Sequence, residues 1–195
     1  MKTKSTASNV TFLFKSQKDW AAWLNKNHAQ SPGVWLRIAK KVSELHSVSY
    51  DEALQIALCY GWIDGQKKGF DESSWLQRFT RRGPKSIWSK INRAKAEELI
   101  KLGKMKPAGL EAIESAKADG RWDAAYDSSR GATVPPDLRT ALDGNAKAKK
   151  FFATLDSVNR FAILHRLQTA KKPETRAARL DKFIRMLEKK EKIYP

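Results

Sequence analysis

Between Trp62 and Arg93 the chain reads WIDGQKKGFDESSWLQRFTRRGPKSIWSKINR. These residue types do a recognisable chemistry. Guanidinium forks grip phosphate or carboxylate oxygens through paired N–H donors, and ammonium groups hold them as point charges. Indole faces stack on bases without sequence preference. Lys67, Lys68, Trp75, Arg78, Arg81, Arg82, Lys85, Trp88, Lys90 and Arg93 therefore form a candidate anion- or nucleic-acid-binding set. Residues 61–95 carry nine basic and three acidic side chains, a local excess of +6. Each tryptophan taken singly is read as core; the cations taken together are read as an anion-binding face.

A second basic set lies near the C-terminus. Arg176, Arg179, Lys182, Arg185 and Lys189 fall off the apolar stripe of Leu180, Phe183, Ile184 and Leu187. A basic amphipathic helix can lie on anionic lipid, grip phosphates or dock on an acidic partner. The narrowness of the stripe favours packing in a bundle.

Catalytic readings find less. His28, His46 and His165 are scattered without the carboxylate or cysteine spacing of a metal site. Cys59, flanked by Leu58 and Tyr60, reads as a buried structural thiol. Asp64, Asp71 and Glu72 are the carboxylates nearest the basic set, and all sit where turn chemistry would place them. No glycine-rich phosphate loop follows a strand. No catalytic set, metal or cofactor is called for, although Trp62 and Asp64, with Trp75 and Arg78, could line a small-ligand pocket.

Composition bounds these readings. A chain of 195 residues, 41% apolar and 10% aromatic, can bury a core. The formal charge of +17 steers it toward phosphate backbones or other anionic surfaces. The excess is patchy, since residues 96–135 carry six basic and seven acidic groups and residues 136–195 carry fifteen and seven. No apolar run approaches the roughly 20 residues of a membrane-spanning helix. The N-terminal VTFLF is too short for the core of a signal peptide. The single cysteine fits a reducing compartment, so a cytoplasmic protein is expected.

The elements that would position these groups follow from local pattern. A strand is predicted over 10–16, then a helix capped by Ser16 with Trp20, Trp23 and Leu24 on one side. VWLRIAKK (34–41) alternates as a half-buried strand does. Ser49 and Glu52 form a capping box for a helix that stops at Gly61. WIDGQKKGF and SSWLQRFTRR read as two strands joined through Asp71-Glu72, which places Lys67, Trp75, Phe79 and Arg81 on one face and Leu76, Arg78 and Arg82 on the other. Ser86 is predicted to start a helix, whose free N–H groups would add an anion site. Pro107 opens another. Beyond DSSRGATVPP, three helices are predicted over 146–155, 158–169 and 173–190. The fold class is α+β: a small, mainly antiparallel sheet of about four strands with packed helices over 1–126, a linker over 127–136 and a three-helix module over 137–195.

The pieces YDEALQIALCYGWIDG (50–65), RFTRRGPKSIWSKINR (78–93), GKMKPAGLEAIESAKADGRWDAAYD (103–127) and AKKPETRAARLDKFIRMLEKKEK (170–192) resemble the YdeI/OmpD-associated family, also called the bacteriocin-protection family. The resemblance runs from about Phe14 onward. It implies a small C-terminal helical module and a link to resistance against membrane-directed antimicrobial proteins, and it supplies no catalytic set. The leading expectation is a non-enzymatic cytoplasmic protein that binds a polyanion, with nucleic acid bound without strong sequence preference as the first candidate. The alternative is a stress-protection protein whose helical module docks on an acidic protein. A small anionic-ligand pocket or an enzyme is the third reading.

Overall fold

The computed structural model describes residues 10–195, so the reading of residues 1–9 as lacking an export signal lies outside the described residues. In chain order the elements are β1 (Thr11–Phe12), α1 (Gln17–Asn27), β2 (Val34–Ala39), α2 (Tyr50–Cys59), β3 (Trp62–Gly69), β4 (Ser74–Arg81), α3 (Lys90–Lys101), α4 (Pro107–Ala118), α5 (Pro136–Asp143), α6 (Ala146–Thr154), α7 (Ser157–Gln168) and α8 (Pro173–Glu188). The fold is α+β, and no helix of the described residues is long and apolar enough to cross a membrane. The chain forms two compact units. The first runs to Trp88 and resumes at Asn92–Ala124; the second is Ser89–Ile91 with Ala125–Pro195.

The sheet of the first unit has the order β1-β2-β4-β3, with β1 parallel to β2 and the other pairs antiparallel. Alternation sends Val34, Leu36, Phe79 and Trp62 to the face that α1 and α2 cover, where Trp20 and Leu24 complete the core. Buried indoles need partners for their N–H groups, and two find backbone carbonyls: Trp20 Nε1 donates to Ala53 O and Trp62 Nε1 to His28 O. The capping box is complete, with Ser49 N–H donating to Glu52 and Glu52 N–H donating to Ser49 Oγ. A bulge between Asp64 and Lys67 is held by buried Gln77, whose Nε2 donates to Gly65 O and Gln66 O.

Two expectations are corrected. The helix predicted from Ser86 begins only at Lys90, because Trp88 is drawn into the core and holds residues 83–89 as an irregular segment. Ser86 therefore opens no helix, and the N-terminal anion site expected there does not exist. The C-terminal region holds four helices rather than three. The extra one, α5, begins inside a Pro-Pro pair that reads as a turn, with Pro136 at its first position.

In the second unit, Leu138, Leu142, Phe152, Ile163, Leu167, Phe183 and Leu187 form one core, and Ala132 and Val134 pack against it. Arg176 ties α8 to α5 through a two-point contact with Asp137, at 2.7 and 2.9 Å. That hydrogen bonding holds the Asp137 carboxyl below its ordinary value near 3.8. Because the folded value is depressed, its contribution to stability is present above about 3.8 and is lost as pH falls through the folded value. Asp137→Asn is expected to lower stability by about 1 kcal/mol at neutral pH, modest because both partners are partly exposed. It should also flatten the acid limb of stability against pH, as thermal melts between neutrality and pH 2 would record.

Candidate anion-binding surface

Six cations among the ten central candidates divide into a paired and an unpaired group. In the first half of α3 the cations are paired: Lys90 meets Asp127 at 2.7 Å, Arg93 meets Glu97 at 3.6 Å, and neighbouring Lys95 meets Asp51 at 2.6 Å. Lys67 and Lys68 on β3, Arg81 at the end of β4 and Lys85 just beyond are exposed, and none forms an ion pair among the described residues. Strand alternation separates Lys67 from Lys68. Lys67 Nζ lies 4.2 Å from the Trp75 ring centre on the helix side, and Lys68 Nζ lies 4.4 Å from that of Trp35 on the opposite face. Arg78, opposite Trp35 in the β2–β4 register, places its guanidinium 5.7 Å from the same ring. Indole faces thus hold Lys67 and Lys68 in place without neutralising them.

At the far end of β4, Arg81 and Arg82 reach a cleft of about 400 Å³ shared with His28, Tyr60, Glu111 and Arg121. Their roles differ. Arg81 is exposed and donates only a 3.3 Å bond to Ala29 O. Arg82 lies 3.5 Å from the centre of the Trp88 ring and donates to Ile87 O, which makes it a support for the 83–89 segment. Arg121 is 6% exposed and engages both Asp119 carboxylate oxygens, Ser86 O and Ser115 Oγ.

The tryptophans sort as their surroundings require. Trp62 and Trp88 are core, at 0% and 1% exposure, and Trp88 packs edge-on to Trp122. Neither offers a face to a base, so Trp88 leaves the binding set. Trp75 is half-buried, beside Tyr50. The pocket predicted from Trp62, Asp64, Trp75 and Arg78 does not form, because Arg78 leaves the sheet on the face opposite the other three. Asp64 instead accepts a 2.8 Å bond from the Tyr50 hydroxyl. Cys59 is buried, and burial pushes its thiol up, which leaves it unreactive. Trp35 was not among the expected residues. Its signal was the alternation of VWLR, which puts it on the face away from Leu36 and beside Arg78.

Residues 12–112, which make up 101 of 195, match a family model described as a domain of unknown function (DUF8412), and residues 131–190 match one described as bacteriocin-protection, YdeI or OmpD-associated. The chain belongs to the DUF8412 family and carries a YdeI/OmpD-associated module. The motifs at 50–65 and 78–93 lie within the DUF8412 match, and the C-terminal motif overlaps the YdeI/OmpD-associated match. No curated protein and no solved structure matches the chain.

Within the YdeI/OmpD-associated module the basic residues of α8 are largely committed. Arg176 is held by Asp137, and Arg179 donates to Arg166 O at 2.5 Å. Arg185 pairs with Asp181, four residues earlier. Lys182 and Lys189 remain exposed without an ion pair among the described residues. As the narrow stripe implied, α8 puts Phe183 and Leu187 into the module's core. Its opposite side carries less free charge than its composition promised.

Proposed function

We propose that the protein is a non-enzymatic, cytoplasmic binder of polyanions, namely single-stranded nucleic acid with little sequence preference, held along the β3–β4 ribbon. One observation carries this reading. Four cations of the ribbon and its exit (Lys67, Lys68, Arg81 and Lys85) have no carboxylate partner among the described residues, while Lys90, Arg93 and Lys95 in the first half of α3 do. Eight residues of extended chain span about 25 Å, room for several phosphates along one strand. Charge left uncompensated at both ends of that length suits an extended anion better than a single small one.

The test is a titration of a labelled single strand with the full chain, repeated with a homopolymer and a mixed sequence at low and near-physiological salt. Affinities that agree across sequences to within about fivefold and fall steeply with salt support the reading. A strong sequence preference, or binding insensitive to salt, contradicts it.

The match to the bacteriocin-protection model favours a second reading, in which the helical module protects through protein contacts. Capture of a proteinaceous partner by the full chain that survives nuclease treatment and is lost in a Lys182→Glu, Lys189→Glu variant would move the proposal there.

A further inference from the structure

The YdeI/OmpD-associated module contains a cleft of about 660 Å³ between α7, α8 and the C-terminal segment. That is the size at which small-molecule sites are found, roughly 300–1,000 Å³. Its lining contains no carboxylate. It does contain two half-buried cations, Arg166 and Arg179. Elsewhere on α8 the arginines Arg176 and Arg185 have acidic partners, but neither Arg166 nor Arg179 forms an ion pair among the described residues. Cations withdrawn from water without a counter-ion are costly, and an anion in the cleft would remove that cost.

Both guanidinium groups are fixed in place before any ligand arrives. Arg179 donates to Arg166 O, and Arg166 donates to Ala162 O at 3.0 Å and to the Tyr194 hydroxyl at 3.3 Å. Each keeps further N–H donors, since a guanidinium carries five. Nearer the start of α7 the lining is largely apolar, with Val158 61% exposed and the Phe161 ring beside His165. His165 stands between Phe161 and the edge-on ring of Tyr126, at 5.5 and 4.6 Å. Burial, with Arg166 and Arg179 nearby, holds its imidazole below its ordinary value, which leaves a neutral group able to donate one hydrogen bond.

We infer that this cleft is a binding site for a small monocarboxylate with an aromatic or short apolar body. The carboxylate would lie against Arg166 and Arg179, and the body against Val158, Phe161 and Tyr194. The proposal is independent of the polyanion surface, since every residue it uses lies in the second unit.

The test uses the full chain and three probes: indole-3-acetate, its neutral analogue indole-3-acetamide, and inorganic phosphate. Calorimetry and amide NMR shifts are expected to show saturable binding of indole-3-acetate in the micromolar to low-millimolar range, with shifts centred on Phe161, His165 and Arg179. The acetamide should bind at least about tenfold more weakly, because it lacks the charge the arginines face. Phosphate should not compete, because it lacks the apolar body. Val158→Asp puts a like charge at the mouth and should weaken indole-3-acetate about tenfold or more. Val158 lies at the N-terminal end of α7, where an acidic side chain favours the helix, so the variant should fold normally. Arg179→Gln should reproduce the loss. Equal binding of acid and amide, displacement by phosphate, full affinity in Val158→Asp, or no saturation below about 10 mM would each overturn the proposal.

Discussion

Replacing the four unpaired cations of the ribbon together, as Lys67→Gln, Lys68→Gln, Arg81→Gln and Lys85→Gln, is expected to lower affinity for a single strand by roughly 100-fold at low salt. Each phosphate contact to a single strand contributes about 0.7 to the slope of log affinity against log salt, so the slope should flatten by about 2 to 3. The matching change on the paired side, Lys90→Gln, Arg93→Gln and Lys95→Gln, removes charges that Asp127, Glu97 and Asp51 already offset. It should cost less than about threefold in affinity. A simple basic-surface account predicts similar losses, because the two variants remove similar charge. Arg82 is left out of both sets. Its contact with Trp88 and its bond to Ile87 O make its removal a change of structure as well as of charge.

Gly109→Ala is expected to destabilise the first unit by about 3 kcal/mol, a drop of roughly 6–12 °C in melting temperature. The end of α2 and the start of α4 meet backbone to backbone there. Lys106 N donates to Cys59 O at 3.0 Å, and a Cβ on Gly109 would collide with that same carbonyl, lying 2.8 Å from the Cys59 carbonyl carbon and 2.7 Å from Met105 Cε. The Met105 methyl could move aside, but the backbone of α2 could not. Gly61 faces the same junction from the other side. Its φ is +70°, and a Cβ there would lie 2.6 Å from Ala108 O. Gly69→Ala serves as the control, since nothing lies within 4 Å of its Cβ position, and it should change stability by less than about 0.5 kcal/mol. Equal melting temperatures for Gly109→Ala and the unmodified chain would mean that the two helices do not cross this closely.

Features of the fold written in short stretches were legible in the sequence. The Ser16 and Ser49 caps, the Pro107 start, the alternation of β2 and β4 and the stripe of α8 each depend on residues within a turn or two of one another. What failed was also local, but misleading. Ser86 has the look of a helix cap, yet burial of Trp88 three-dimensionally outweighs propensity and delays α3 to Lys90. The Pro-Pro pair before α5 reads as a breaker, although a proline at the first position of a helix costs nothing.

The candidate surface was half legible. Charge density marked the stretch of chain on which the unpaired cations lie, because composition is a one-dimensional property. Whether a given cation is paired is not, and here it separates Lys68 from Lys90. The partners that neutralise Lys90 and Lys95 lie 37 and 44 residues away, at Asp127 and Asp51. Trp35, on which Lys68 and Arg78 rest, comes from another strand and was brought there by register alone. The cleft of the helical module was missed for the same reason. His165, Arg179 and Tyr194 share no spacing, and nothing in the sequence marks Arg166 and Arg179 as arginines without acidic partners.

The most direct test of the central claim is location. Amide NMR of the full chain, titrated with a short single strand at low salt, should move the signals of Lys67, Lys68, Arg81 and Lys85 together and saturably, while those of α3 and of the helical module stay within noise. Shifts confined to α3 or to α8, with the β3–β4 ribbon unmoved, would contradict the account.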